Sequence, residues 1–231
     1  MLNIKEYVQQ WKNILKEKIA KLARKPKLII VQLGDVEASN RYVRNKIKDA
    51  EEVGIEAALV KMTGNEFHDE DDLRDFVGRL AEHCDGIIVQ LPLPEQFKDV
   101  KHILGKVPAH KDVDGLSGKP GAQTPCTPLG IMKFINDTNL VDKTYKKALV
   151  IGRSELVGRP MAKLLLDNDY TVTVCHSKSG ELAIRHLAED WADFVVCAVG
   201  RRNFLDCTYI DVPVIDVGIN FDENGKLCGD C

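Results

Sequence analysis

Tyr42 and Lys46 lie four residues apart in SNRYVRNKIKDAEEVG (Ser39 to Gly54), a stretch with helical spacing. A helix puts such a pair on one face and sets a phenol beside an ammonium. The ring can stack on a flat substrate while the amine moves a proton. A solvated lysine next to a partly buried tyrosine is the plain alternative. Gln90 follows an apolar run, Gly86 to Val89, where a buried amide is costly without partners. It either fixes a substrate or orients Lys46. In HKDVDG (His110 to Gly115), a loop carboxylate from Asp112 or Asp114 can accept two parallel N–H bonds from an aminopyrimidine-like ring, or cap a turn.

A second group of residues suits a nucleotide. LVIGRSELVGRPMAKLLL (Leu149 to Leu166) reads as strand, tight turn and helix. Gly152 ends the strand where the backbone turns closely. Gly158 is small enough to let the helix pack against that strand. The N–H groups between them, with the helix N-terminus, can hold a pyrophosphate, although the general G-x-G-x-x-G fingerprint is not met. The next strand ends in Cys175-His176-Ser177-Lys178, with no carboxylate for ribose hydroxyls. Arg153, Ser177 and Lys178 instead suit a 2′-phosphate through charge-assisted bonds, which favours NADP over NAD. The alternatives are a packing turn and ordinary solvated loop residues.

These side chains need a scaffold, and the chain alternates in period accordingly. Val8, Trp11, Leu15, Ile19 and Leu22 predict an amphipathic helix, and the segment from Asp69 to Cys84 predicts another. Apolar runs predict strands at 28–34, 57–60, 86–94, 148–152, 170–176, 194–200 and 213–220, with Pro92 ending or leaving its ladder. Continuously apolar strands separated by helices imply parallel sheets covered on both faces, hence an α/β fold. A Pro/Gly-rich passage from Val107 to Gly130 predicts two α/β domains, 1–118 and 119–231; one continuous sheet is the competing reading. Thr127 to Ile135 begins a connecting helix.

Composition removes other classes. Lys plus Arg number 32 against 35 acids, a net charge of -3, so no nucleic-acid partner is expected. No run approaches a membrane span, and the charged N-terminus lacks an export signal. Seven cysteines, several in apolar strands, fit reduced thiols in the cytoplasm. Cys228 and Cys231 supply only half of a four-ligand zinc site, so no metal is expected.

Seven segments in order, YVRNK, DGIIVQLPLP, HKDVDG, PCTPLG, GRSELVGRP, TVTVCHSKS and VIDVGIN, resemble the bifunctional methylenetetrahydrofolate dehydrogenase/methenyltetrahydrofolate cyclohydrolase family. The resemblance implies two α/β domains flanking a cleft, a folate-binding catalytic domain and then a Rossmann-like NADP-binding domain. It implies NADP-dependent oxidation of 5,10-methylenetetrahydrofolate to the methenyl form and hydrolysis to 10-formyltetrahydrofolate, by a homodimer. The family's lysine falls on Lys46, its stacking tyrosine on Tyr42, its supporting glutamine on Gln90 and its pterin-binding aspartate on Asp114, with Val89 and Leu91 beside the substrate. Gly152, Arg153, Ser154 and Ser177 fall on the nucleotide site, and Ile219 near the nicotinamide ribose. Family members continue past the position of Cys231 through a P-G-G-V-G-P-M-T loop and a final helix. That departure implies a shortened chain and an alternative: an impaired homologue that binds folate or nucleotide without efficient turnover.

Overall fold

The computed structural model describes residues 3–141, 144 and 146–231. The chain divides into two units, Met1–Gln123 and Thr124–Cys231, slightly beyond the boundary expected after Gly118.

The first unit is built on three parallel strands, β1 (Lys27–Leu33), β2 (Glu56–Met62) and β3 (Gly86–Gln90), in the order β2-β1-β3. Strand alternation gives the sheet two faces. Ile30 and Ile88 pack with Val43 and Ile47 of helix α2 (Glu37–Val53). Val31, Leu33, Ile87 and Val89 lie in the opposite core with Leu73 and Val77 of α3 (Glu70–Glu82) and Ile103 of α4 (Val100–Leu104). Each such side chain, fully buried, contributes about 1.5–3 kcal/mol. Asp69 caps α3 by accepting the Asp72 N–H, and Glu70, Asp71 and Asp72 occupy its first turn, where negative charge suits the helix dipole.

Two expectations need correction here. The stripe on α1 (Ile4–Ile19) buries no residue; Val8 and Leu15 stay exposed, and Leu22 lies past the helix end. Lys12 instead ties this helix to Asp49 and Glu52 of α2 at 2.6 and 2.8 Å. Strand β2 is not covered on both faces either. It is an edge strand, and Leu59 is exposed.

The second unit carries helix α5 (Cys126–Thr138), then β4 (Lys147–Ile151), α6 (Gly158–Leu166), β5 (Thr171–Cys175), α7 (Glu181–His186), β6 (Phe194–Cys197) and β7 (Val214–Asp216). Its sheet is parallel in the order β5-β4-β6-β7. Ala148, Val150, Phe194 and Val196 face α5 and α6, and Leu149, Ile151, Val195 and Cys197 face Ile184 and Ala188. Three strands end sooner than their apolar runs suggested, at Gln90, Cys197 and Asp216. The remainder of the last run enters a hairpin, β8 (Asn220–Phe221) with β9 (Leu227–Cys228). No helix among the described residues is long and apolar enough to cross a membrane.

Both sheets are closed at their lower end by the same device. Asp85, just before β3, accepts the Lys27 N–H and donates its own N–H to the Lys27 carbonyl. Asp193, just before β6, does the same with Lys147. Arg24 adds two bonds of 2.6 Å to Asp85, and with the Lys27 N–H holds that carboxyl well below the usual carboxylate range. A depressed folded value stabilises above the unfolded pKa and is lost as the pH falls through the folded one. The melting-temperature gap between wild type and Asp85→Asn, followed by circular dichroism, is therefore steady above about pH 5 and narrows below about pH 4.

Candidate functional site

In the first unit, Lys61, Gln32 and Gln90 are register partners across the three strands, so their side chains leave one face of the sheet. That is the face covered by α2. Gln32, 1% exposed, donates to Asn40 Oδ1 at 2.7 Å, and Asn40 in turn donates to Asp35. Gln90 differs. Its Nε2 donates to the Leu91 carbonyl at 2.7 Å, while its Oε1 is buried without a partner, the only such side-chain atom among the described residues. An unmade bond of this kind costs about 1–3 kcal/mol, which a ligand donor would recover.

Lys46 leaves α2 and reaches Asp114 Oδ2 at 3.4 Å, at the long end of a hydrogen bond, with both side chains partly buried. Tyr42, one turn earlier, is 40% exposed and so presents an open ring face. The two aspartates of the HKDVDG loop separate cleanly. Asp112 is buried and accepts the N–H groups of Gly115, Leu116 and Ser117 at 2.9, 3.3 and 2.8 Å. It is the turn cap. That leaves Asp114 turned toward Lys46.

Of the other residues anticipated beside the substrate, Leu91 lies just past β3 and is half-buried. The Val89 side chain sits on the far face, in the core with Leu73 and Val77; only its backbone borders the α2 face. Gln32, Asn40 and Lys61 were not anticipated. The available signal is the pentapeptide IIVQL, which occurs at both 29–33 and 87–91 and pairs with itself in register.

In the second unit, a cavity of about 460 Å³ opens at the C-terminal edge of the sheet. Gly152, Arg153, Ser154 and Ser177 line it, as anticipated, and Ile219 does not; that side chain is exposed on the loop after β7. The close turn is real. A Cβ on Gly152 would stand 2.3 Å from the Ala198 carbonyl oxygen, and one on Gly158 would stand 2.2 Å from that of Gly152. Ser154 Oγ accepts the N–H groups of Val157 and Gly158, bracing the turn into α6. The volume lies in the range of small-ligand sites. With a backbone that approaches closely, a helix N-terminus and the Arg153 guanidinium, these residues fit a dinucleotide.

Val199, Arg201, Phe204 and Glu181 also line this cavity and were not anticipated. Glu181 supplies a carboxylate missing from the β5 tip, but Arg201 pairs with it, and the Arg201 guanidinium lies 4.5 Å from the Phe204 ring centroid. The signal was the glycine closing CAVG, which marks a strand's C-terminal edge. All seven cysteines are free thiols. Burial pushes Cys84 and Cys175 up, and burial with Cys231 nearby pushes Cys207 up to about 12, so none of these three is an activated nucleophile. No group of metal-ligating side chains occurs among the described residues.

Two substitutions check this geometry. Asp112→Ala costs about 1–3 kcal/mol in urea denaturation by freeing three buried-loop N–H groups, whereas Asp114→Ala leaves stability near wild type. Gly158→Ala costs about 1–3 kcal/mol through overpacking and weakens nucleotide binding in calorimetric titration.

Known proteins share both units. Residues 2–114 match the tetrahydrofolate dehydrogenase/cyclohydrolase catalytic domain, and residues 125–231 match the NAD(P)-binding domain of the same family. A bifunctional FolD protein of Lysinibacillus sphaericus is 39% identical over 100% of this chain and 84% of its own length. One from Paracidovorax citrulli is 42% identical over 89% of this chain and 74% of its own. The crystal structure of bifunctional FolD from Campylobacter jejuni has a TM-score of 0.86 at 35% identity, covering 98% of this chain and 83% of that one. The Trypanosoma brucei enzyme, solved with NADP cofactor and inhibitor, also gives 0.86, at 29% identity over 100% and 84%.

Proposed function

Because this chain belongs to the tetrahydrofolate dehydrogenase/cyclohydrolase family, we propose that it oxidises 5,10-methylenetetrahydrofolate to the methenyl form with NADP and hydrolyses the product to 10-formyltetrahydrofolate. The observation that carries the reading is the meeting of Lys46 and Asp114, far apart in sequence, at 3.4 Å on the α2 side of the sheet.

Each residue has a defined task in this scheme. Asp114 accepts N–H bonds from the aminopyrimidine edge of the pterin, a binding contact remote from the reacting carbon that supplies positioning. Tyr42 stacks on the ring. NADP supplies the hydride acceptor when bound, held by the Gly152–Gly158 turn, with Arg153 and Ser177 taking its 2′-phosphate. The carbon that loses hydride lies between two nitrogens whose lone pairs stabilise the cation, so the chain needs no further electrophile. In the second reaction, water adds to that amidinium carbon and the bond to N5 breaks. Lys46 takes a proton from the attacking oxygen and delivers one to N5, with a second proton released to solvent. The partnerless Gln90 Oε1 is an acceptor suited to orienting the lysine ammonium. The proposed assembly is a homodimer, and the proposed compartment is the cytoplasm, in keeping with unpaired thiols.

A coupled assay tests this. Wild-type protein with NADP and methylenetetrahydrofolate develops the methenyl absorption band, which then decays by hydrolysis. Lys46→Ala slows the hydrolysis by about 10²–10⁴-fold, the usual scale for one proton-transfer group, with nucleotide affinity unchanged. Arg153→Ala weakens NADP more than NAD. Folate binding by wild type without any turnover would identify the impaired homologue instead.

A further inference from the structure

Beside the nucleotide cavity lies a carboxylate that the proposed reaction does not use. Asp230 is 0% exposed. Its oxygens accept three successive backbone N–H groups, from Val199 at 2.6 Å, Gly200 at 3.0 Å and Arg201 at 2.8 Å. The side-chain amide of Asn220 donates to it at 2.8 Å, and the Cys197 thiol lies 3.8 Å away. Its own carbonyl takes the N–H groups of Phe204 and Leu205 at 2.6 and 3.2 Å. One residue thus ties down both ends of the loop between Val199 and Leu205.

Asp230 is itself held. Asp216, at the end of β7, accepts the N–H groups of Asp230 at 2.8 Å and Gly218 at 2.8 Å. There is no slack in the contact. A Cβ on Gly218 would stand 2.1 Å from the Asp230 carboxylate, and one on Gly229 would stand 1.9 Å from that of Asp216.

Three consecutive N–H groups aimed at one point form an anion-binding concavity. In this chain the anion is an internal carboxylate, so those donors are withheld from any bound phosphate. They serve instead to set the loop, whose Val199, Arg201 and Phe204 form the cavity wall opposite Gly152. Arg201 is consequently fixed twice: its N–H by Asp230, and its guanidinium by Glu181 and the Phe204 ring.

We propose that Asp230 is a positioning residue for nucleotide binding, fixing the Val199–Arg201 backbone so that Arg201 stands ready in the cavity wall. This rests on the nucleotide reading of that cavity. Loss of the contact releases the wall and Arg201 with it, and the penalty falls on the affinity for nucleotide more than on the chemical step.

The test uses the full chain and NADP itself. Asp230→Asn removes one acceptor oxygen and the charge. Gly218→Ala displaces the carboxylate without changing it, and serves where the first variant fails to fold. Either raises the NADP dissociation constant in calorimetric titration, and its KM in the dehydrogenase assay, by about tenfold, as expected for disturbing charge-assisted contacts, with kcat changed less. Phe194→Leu, a buried core change in the same unit, is the control: it lowers the melting temperature and leaves NADP affinity at the wild-type value. Variants at Asp230 and Gly218 that lose stability yet bind NADP within about twofold of wild type would overturn the proposal, because a structural role alone predicts that result. Wild type that binds NADP without folate turnover would sink the proposed reaction and leave this inference standing. Wild type that does not bind NADP would sink the cavity reading and this inference together.

Discussion

A parallel strand covered on both faces cannot carry an unpaired polar side chain until it reaches the edge of its covering helices, because burying that group costs several kcal/mol. Both units are organised by this constraint. In β1 and β3 the first polar side chain after the apolar run is a glutamine, and the two stand side by side in register. In β4 and β6 the run ends at backbone that glycine or a small residue brings close, Gly152 against Ala198. Chemistry-bearing groups are thus confined to the C-terminal edges of the sheets. The helices that follow each strand bring Tyr42, Lys46 and the Gly158 turn to those edges.

That constraint also explains what could be read from residues alone. The Tyr42–Lys46 pair needs only helical spacing. The roles of Gly152 and Gly158 follow from how closely a strand and a helix pack, and both close approaches are present. Alternation along strands was readable too, but its consequence for Val89 was not drawn: one residue from Gln90, it must face the other way, into the α3 core. What stayed illegible depends on contacts between distant segments. Nothing near Glu181 in sequence indicates that Arg201 answers its charge, and nothing in VIDVGIN indicates that its last residues leave the sheet for a hairpin. The apolar stripe on α1 misled for a related reason. Its register is helical, yet salt bridges to α2, rather than burial, fix its position.

The carboxylates show how scaffold and site can be told apart. Asp85, Asp112, Asp193, Asp216 and Asp230 each accept at least one backbone N–H from a segment they hold in place. Four of them sit at a strand end or beside one, and Asp112 sits in a loop bridged to Ile87 of β3. For Asp230, burial opposes ionisation, but the bonds from Asn220, Val199, Gly200 and Arg201 outweigh it and lower its pKa. A carboxylate engaged in this way has its oxygens committed to the fold. It stabilises a loop and has little left to offer a ligand.

Asp114 departs from that pattern. Its partner is a side-chain ammonium at 3.4 Å, long for a charged pair and partly open to solvent, so its oxygens keep capacity for further donors. Gln90 Oε1 is unmatched in the same unit and lies on the same side of the sheet as Lys46. A group that folding leaves unsatisfied costs stability, and its retention in a buried position is explained when binding supplies the missing bond. By that criterion the reactive part of the first unit is the trio Lys46, Gln90 and Asp114, and the neighbouring Asp112 and Gln32 serve to hold it in shape.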